Sequence, residues 1–288
     1  MIKKAIILCG GTGSRMFPLT YSINKQLLPI FDKPMFYYPL SLMMLCGIKE
    51  YIFVINKGQE ANFRKLLGNP NDLGIKISFV SQESPRGLPD AFLITKELIK
   101  NHSIAMILGD NFFYGNMLSP LILKSFEKNN GCNIYLYPSN KPSSYGVVEF
   151  NKKNQIKKIV EKPKKTNSNL IITGLYVFDK KVSEFAKKLK PSKRNELEIV
   201  DLINLYKNKK KLKITKLGRG SAWMDVGNFS DLQSASNFIQ NIEHRQNYKI
   251  GCIEEIAFNN KWIGKKQIIN RIKFCAKTDY SKYLKKLI

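Results

Sequence analysis

Six residues near the start of the chain, Gly10-Gly11-Thr12-Gly13-Ser14-Arg15, combine closely spaced glycines with a cation. Without Cβ atoms, such a run lets main-chain N–H groups converge on an anion. Arg15 closes the run and Lys25 follows ten residues later. At the mouth of a phosphate cradle, a guanidinium fork and an ammonium point charge complement phosphate oxygens. The run is not a P-loop, because no Gly-Lys-Ser/Thr follows. Nor is it G-x-G-x-x-G, because Met16 holds the third glycine position. Taken alone, the six residues fit a ligand-free Gly-rich turn equally well.

Two carboxylates invite a metal. Asp110 closes the apolar run Met106-Ile107-Leu108-Gly109, and Asp225 sits between Trp223 and Gly227. Hard oxygen donors suit Mg²⁺, which takes one or two carboxylates together with phosphate oxygens. Either Asp alone would serve as a helix cap or turn residue. With only His102 and His244 and five scattered cysteines lacking any C-x-x-C pair, neither zinc nor a disulfide framework is suggested. No Ser–His–Asp or Cys–His arrangement stands out, which suits chemistry on an already ionised phosphate.

Strands and helices must position these groups. Short apolar runs at Ala5–Cys9, Tyr51–Ile55, Ile75–Val80, Ala105–Leu108 and Asn133–Tyr137 read as strands. Between them, Pro39–Gly47, Gln59–Leu67, Leu88–Lys100 and Leu118–Asn129 read as helices. Parallel strands need crossovers, so this alternation predicts an α/β fold with a mostly parallel central sheet flanked by helices. Ligands then bind at the carboxyl ends of the strands. From Tyr145 the pattern is mixed, with strands at Gly146–Phe150, Ile156–Val160, Leu175–Phe178 and Leu212–Leu217. Helices are expected near Asp179–Leu189 and Glu196–Asn208, then at Phe229–Glu243, Glu254–Ile263 and Tyr280–Leu287. With no linker or repeat, the expected division is an α/β domain over 1–240, with halves 1–140 and 141–227. A helical C-terminal extension over 241–288 completes it, without being a separate domain.

The net charge of +26 invites a nucleic-acid partner. Its distribution argues against one. Residues 1–150 carry +6 and residues 151–288 carry +20, mostly as scattered Lys pairs such as Lys152-Lys153 and Lys164-Lys165. Lys supplies point charge without the forks and stacking platforms that read bases. No apolar run reaches the roughly 18–20 residues of a membrane span. The short apolar start falls below a signal-peptide core, so a cytoplasmic protein is expected.

The stretch Leu8–Thr20 followed by Asn24-Lys25-Gln26-Leu27-Leu28-Pro29 resembles the signature of sugar-1-phosphate nucleotidylyltransferases, and among them most closely the glucose-1-phosphate thymidylyltransferases. Asp32–Ser41, Leu108–Asn111, Tyr145–Phe150, Glu161-Lys162-Pro163, Thr173–Tyr176, Glu196–Ile199, Trp223-Met224-Asp225 and Glu254–Phe258 extend the match in order and spacing. The resemblance implies a Rossmann-like nucleotidyltransferase fold. It implies conversion of dTTP and α-D-glucose 1-phosphate to dTDP-glucose and diphosphate, the first step toward dTDP-rhamnose and other dTDP-deoxysugars. A uridylyltransferase using UTP on the same fold is the alternative, with a non-catalytic relative ranked behind it. Arg15, Lys25 and Lys162 would be catalytic. Leu8, Gly10, Gly11, Thr12, Gly13, Ser14, Arg15, Gln26, Gln82, Gly87 and Asp110 would bind nucleotide. Asn111, Tyr145, Gly146, Glu161, Lys162, Thr173 and Gly174 would bind the sugar phosphate, and Asp110 and Asp225 would hold Mg²⁺. A homotetramer and a second, regulatory nucleotide site are also implied. Arg219 and Glu255 match that second site, while Asn259 stands where an Arg is expected. Beside the nucleotide pocket, Arg86 and Pro89-Asp90 depart from the pattern, as does Val226 after the metal position.

Overall fold

The computed structural model describes residues 2–127 and 129–288. Met1 and Lys128, the latter inside the helix expected at 118–129, lie outside the described residues. The chain forms two compact units. An outer unit gathers Lys3–Glu83, Leu108–Phe113 and Met224–Ile288, and a middle unit gathers Ser84–Ile107 and Tyr114–Trp223 together with Ile2.

In the outer unit, Lys4–Cys9, Glu50–Asn56 and Lys76–Gln82 form parallel strands. Their cores (Ala5-Ile6-Ile7 and Tyr51–Ile55) are buried, as runs covered on both faces must be. The register sets Cys9 beside Ile55 and Asn56 beside Gln82, so three strand ends meet where the glycine loop begins. The first crossover helix, Tyr37–Leu45, is apolar all round and buried along its length but for Leu45. The second, Glu60–Leu67, buries only Phe63 and Leu67.

The C-terminal part of this unit is helical, as expected: Phe229–Gln246, Ile253–Asn259, Lys265–Phe274 and Asp279–Lys285. Asn228 caps the first by accepting from the Asp231 N–H at 3.0 Å. The third helix escapes the sequence pattern because a charged residue faces its core. Arg271 is 1% exposed, donates to Glu254 at 2.9 and 2.6 Å and to the Leu67 carbonyl at 2.6 Å.

The middle unit is built on Leu170–Phe178, which pairs antiparallel with Ile104–Leu108, Cys132–Pro138 and Gly146–Phe150. Leu212–Lys216 lies parallel to Cys132–Pro138, and Gly146–Phe150 pairs antiparallel with Ile156–Glu161. The helix expected over 88–100 is two short ones, Asp90–Ile94 and Lys96–Ile99. Thr95 separates them, and its hydroxyl donates back to the Ala91 carbonyl at 2.6 Å. Pro89 and Asp90 start the first, as their chemistry suggests, and Arg86 reaches Asp90 at 3.3 Å. Among the described residues, no helix is long and apolar enough to cross a membrane.

Candidate active site

The glycine loop leaves the strand at Cys9 and turns through positive φ at Gly11 (103°) and Gly13 (62°), conformations that favour glycine. Side chains from neighbouring segments hold it. Asn24 donates to the Cys9 carbonyl at 2.9 Å and accepts from the Gln26 N–H at 2.9 Å. Asn56 accepts from the Gly11 N–H at 2.9 Å and donates to the Gly11 carbonyl at 2.8 Å. Thr20 donates to the Gly13 carbonyl at 2.7 Å. The N–H groups of Thr12 and Gly13 have no acceptor among the described residues. Gln82 packs so closely on Gly10 that a Cβ there would lie 2.9 Å from its Oε1.

Beside this loop the outer unit assembles its charges. Lys25 pairs with Asp110, and Asn111 donates to Asp110 at 3.0 Å and to Asp225 at 3.4 Å. The Val226 N–H donates to the Asp110 carbonyl at 3.0 Å, tying the two acidic segments together. Arg15 comes back against Gly227, where a Cβ would sit 2.9 Å from its Nη2. Burial, and then the neighbouring Asp110 charge, push the Asp225 carboxyl up to about 7, while Lys25 and Arg15 pull it down. Gln26, 4% exposed, packs against Gly109, next to Asp110. The Gly109 N–H is held by the Leu8 carbonyl at 2.8 Å. Thus Leu8, Gly10–Arg15, Lys25, Gln26, Gln82, Asp110, Asn111 and Asp225 all belong to one unit.

The middle unit collects a second set: Gly87, Tyr145, Gly146, Glu161, Lys162, Thr173 and Gly174. The hairpin register places Glu161 opposite Gly146. Lys162 adopts a left-handed φ of 42°, and its N–H donates to the Tyr145 carbonyl at 3.0 Å. Tyr145 meets Trp223 edge-on at 5.3 Å. Burial raises the Glu161 carboxyl above its ordinary value against the pull of Lys162. Arg194 lies 3.7 Å from Glu161 while gripping Glu198 through two N–H groups at 3.2 and 2.7 Å. Thr173 is fully buried and its hydroxyl donates to the Tyr135 carbonyl at 3.1 Å, which commits that side chain to the neighbouring strand. Gly87, at φ 96°, lies against the Leu197 backbone, whose N–H donates to the Arg86 carbonyl at 2.8 Å.

Sequence reasoning missed Asn24 as an anchor, together with Asn56 and Arg194. For Arg194 a signal existed: the chain has only seven Arg against 41 Lys, so each guanidinium is informative. Asn24 and Asn56 carry no such mark, because their bonds depend on strand ends meeting in space.

The arrangement can neutralise an anion at the loop and hold a divalent cation between two carboxylates. The Nucleotidyl transferase family model matches residues 4–242. A curated glucose-1-phosphate thymidylyltransferase of Neisseria gonorrhoeae is 44% identical over 285 residues, 99% of either chain. A Bacillus anthracis crystal structure with sucrose bound, described as a glucose-1-phosphate thymidylyltransferase, superposes with TM-score 0.75 at 32% identity, covering 82% of this chain and 94% of that one. A UDP-glucose pyrophosphorylase complexed with UDP-glucose gives TM-score 0.71 at 27% identity, covering 84% of this chain and 99% of that one. The chain belongs to the nucleotidyl transferase family and, within it, to the glucose-1-phosphate thymidylyltransferases.

Proposed function

We propose that the chain catalyses the Mg²⁺-dependent reaction of dTTP with α-D-glucose 1-phosphate to give dTDP-glucose and diphosphate. A phosphate oxygen of the sugar attacks the α-phosphorus, the bond to the bridging oxygen breaks, and pyrophosphate leaves with the electron pair. The observation that carries the reading is the cluster of Arg15, Lys25, Asp110, Asn111 and Asp225 beside the unbonded Thr12 and Gly13 amides. Such chemistry needs charge neutralisation and alignment rather than a protein nucleophile.

The N–H groups of Thr12, Gly13 and Ser14, with Arg15 and Lys25, bind the triphosphate and stabilise charge as it moves to the leaving group. Leu8, Gly10, Gly11 and Gln26 shape the floor of that cradle. Asp110 and Asp225 would hold Mg²⁺, and their fit rests on a half-buried carboxylate pair bridged by one amide. When bound, the cation neutralises phosphate oxygens and helps align them. Gln82 and Gly87 receive the pyrimidine. Asn111, Tyr145, Gly146, Glu161, Thr173 and Gly174 receive the glucose hydroxyls, and Lys162 holds the sugar phosphate. A site that pairs hydroxyls rejects sugars lacking them.

The end of the family match at residue 242 supports placing the catalytic domain in 1–240 and an extension in 241–288. We further place the enzyme in the cytoplasm as a homotetramer, at the head of a route to dTDP-rhamnose and related sugars. Its five free thiols suit a reducing compartment. The likeness to a UDP-glucose pyrophosphorylase keeps UTP as the competing donor. Pyrophosphate release with glucose 1-phosphate and Mg²⁺ decides between them. The expected kcat/KM for dTTP exceeds that for UTP at least tenfold, and a preference for UTP overturns the thymidylyl reading.

A further inference from the structure

The Asn56 side chain hydrogen-bonds one residue, Gly11, twice: Oδ1 accepts the N–H at 2.9 Å and Nδ2 donates to the carbonyl at 2.8 Å. Exchanging the amide atoms would break both bonds, so the pattern fixes the side chain's orientation. Asn56 stands at the last position of its strand, opposite Gln82 in the register. In effect it gives Gly11 a two-bond strand partner after the sheet has ended.

One consequence follows from peptide geometry. A trans peptide is planar, with its C=O and N–H directed oppositely. The Gly11 carbonyl and the Thr12 N–H share one such plane. Holding that carbonyl on Asn56 therefore aims the Thr12 N–H the other way, and that N–H has no acceptor among the described residues. Gly11, at φ 103°, adds no Cβ to resist a flip of this plane. The Gly11 N–H is itself occupied by Asn56, so the amides offered to an anion begin at Thr12. Building on the reaction proposed above, we infer that Asn56 is a positioning residue for the triphosphate: through its donated bond to Gly11 it orients the Thr12 amide toward the nucleotide phosphates.

Asn56→Asp tests the donated bond, because a carboxylate still accepts from Gly11 N–H but repels its carbonyl. At pH 8 this variant is expected to raise the KM for dTTP at least tenfold and the KM for glucose 1-phosphate less than twofold. Acidification restores a donor on the protonated acid, so the deficit relative to wild type should shrink as pH falls toward 5. Uncharged Asn56→Ala should also raise the KM for dTTP, excluding simple charge repulsion, without recovering in acid. Circular dichroism confirms that each variant is folded. Calorimetric binding of inorganic tripolyphosphate with Mg²⁺ should weaken at least tenfold in Asn56→Asp, whichever nucleotide the enzyme prefers. A wild type inactive with dTTP but binding tripolyphosphate sinks the assigned reaction and leaves the positioning role to the calorimetric comparison. Folded variants that keep tripolyphosphate affinity and dTTP KM within twofold of wild type overturn the role of Asn56. So does an equal rise in both KM values, or a deficit in Asn56→Asp that ignores pH.

Discussion

Asp225 carries a proton at a pH where most aspartates do not, because it is buried beside Asp110. A folded-state value raised to about 7 means this group's contribution to stability is full below the unfolded value of about 3.9 and lost as pH rises through 7. A divalent cation competes with that proton. Its affinity for the protein should fall about tenfold per unit below pH 7 and level off above it. The rise in Tm on adding Mg²⁺ should accordingly be larger at pH 8 than at pH 6, and a cation effect independent of pH would remove Asp225 from the metal site. Asp225→Asn and Asp110→Ala are expected to lower kcat at least 10²-fold in folded protein, measured by pyrophosphate release. Lys162 offers a different separation. Its left-handed backbone costs about 1 kcal/mol, which Gly would relieve in part. Lys162→Gly should hold or raise Tm while the KM for glucose 1-phosphate climbs at least tenfold. A variant that loses stability and keeps its KM would show that this strained lysine serves the fold.

Elements were legible where their residues shared one purpose. The strand runs through Ala5–Cys9 and Tyr51–Ile55 are apolar on both faces, and they appear within a residue of where the pattern puts them. Lys265–Phe274 was not legible, because the Arg271 guanidinium sits in its buried face and satisfies Glu254 from another helix. Strand Leu170–Phe178 was seen only from Leu175, since the turn-like Thr173-Gly174 hides its continuity. Arg271→Ala leaves Glu254 buried without its partner and should cost about 3–5 kcal/mol in urea unfolding. A loss below about 1 kcal/mol would mean that solvent enters the pair freely. Gly87, proposed to receive the pyrimidine, sits in the loop before Asp90–Ile94, where a Cβ would lie 2.1 Å from the Leu197 carbonyl at a φ of 96°. Gly87→Ala is expected to destabilise by at least about 2 kcal/mol and to weaken dTTP binding together with it. The candidate site residues come from the resemblance of their motifs to the family's, whereas the amide anchors Asn24 and Asn56 exist only once distant segments converge.

At the scale of the whole molecule, the +26 charge is far more than two phosphate substrates require. Arg15, Lys25 and Lys162 are assigned to them, while Lys152, Lys153, Lys164 and Lys165 are exposed and match no motif. Replacing these four by Gln should leave both KM values within twofold at 0.15 M salt, where distant exposed charges are largely screened. A tenfold rise would show that surface charge steers the substrates. The chain's interleaving has a different consequence, for the order of synthesis. From Lys3 onward it changes unit at 83/84, 107/108, 113/114 and 223/224, so the middle unit is complete once residue 223 has emerged. The outer unit cannot finish until its helices from Phe229 onward follow. On the ribosome, then, the glycine loop is made early and waits, and Asp225 reaches Asp110 only near the end of translation. The acidic pair closes late, and a chain cut short before residue 225 carries one of the two carboxylates proposed to hold the metal and no way to supply the other.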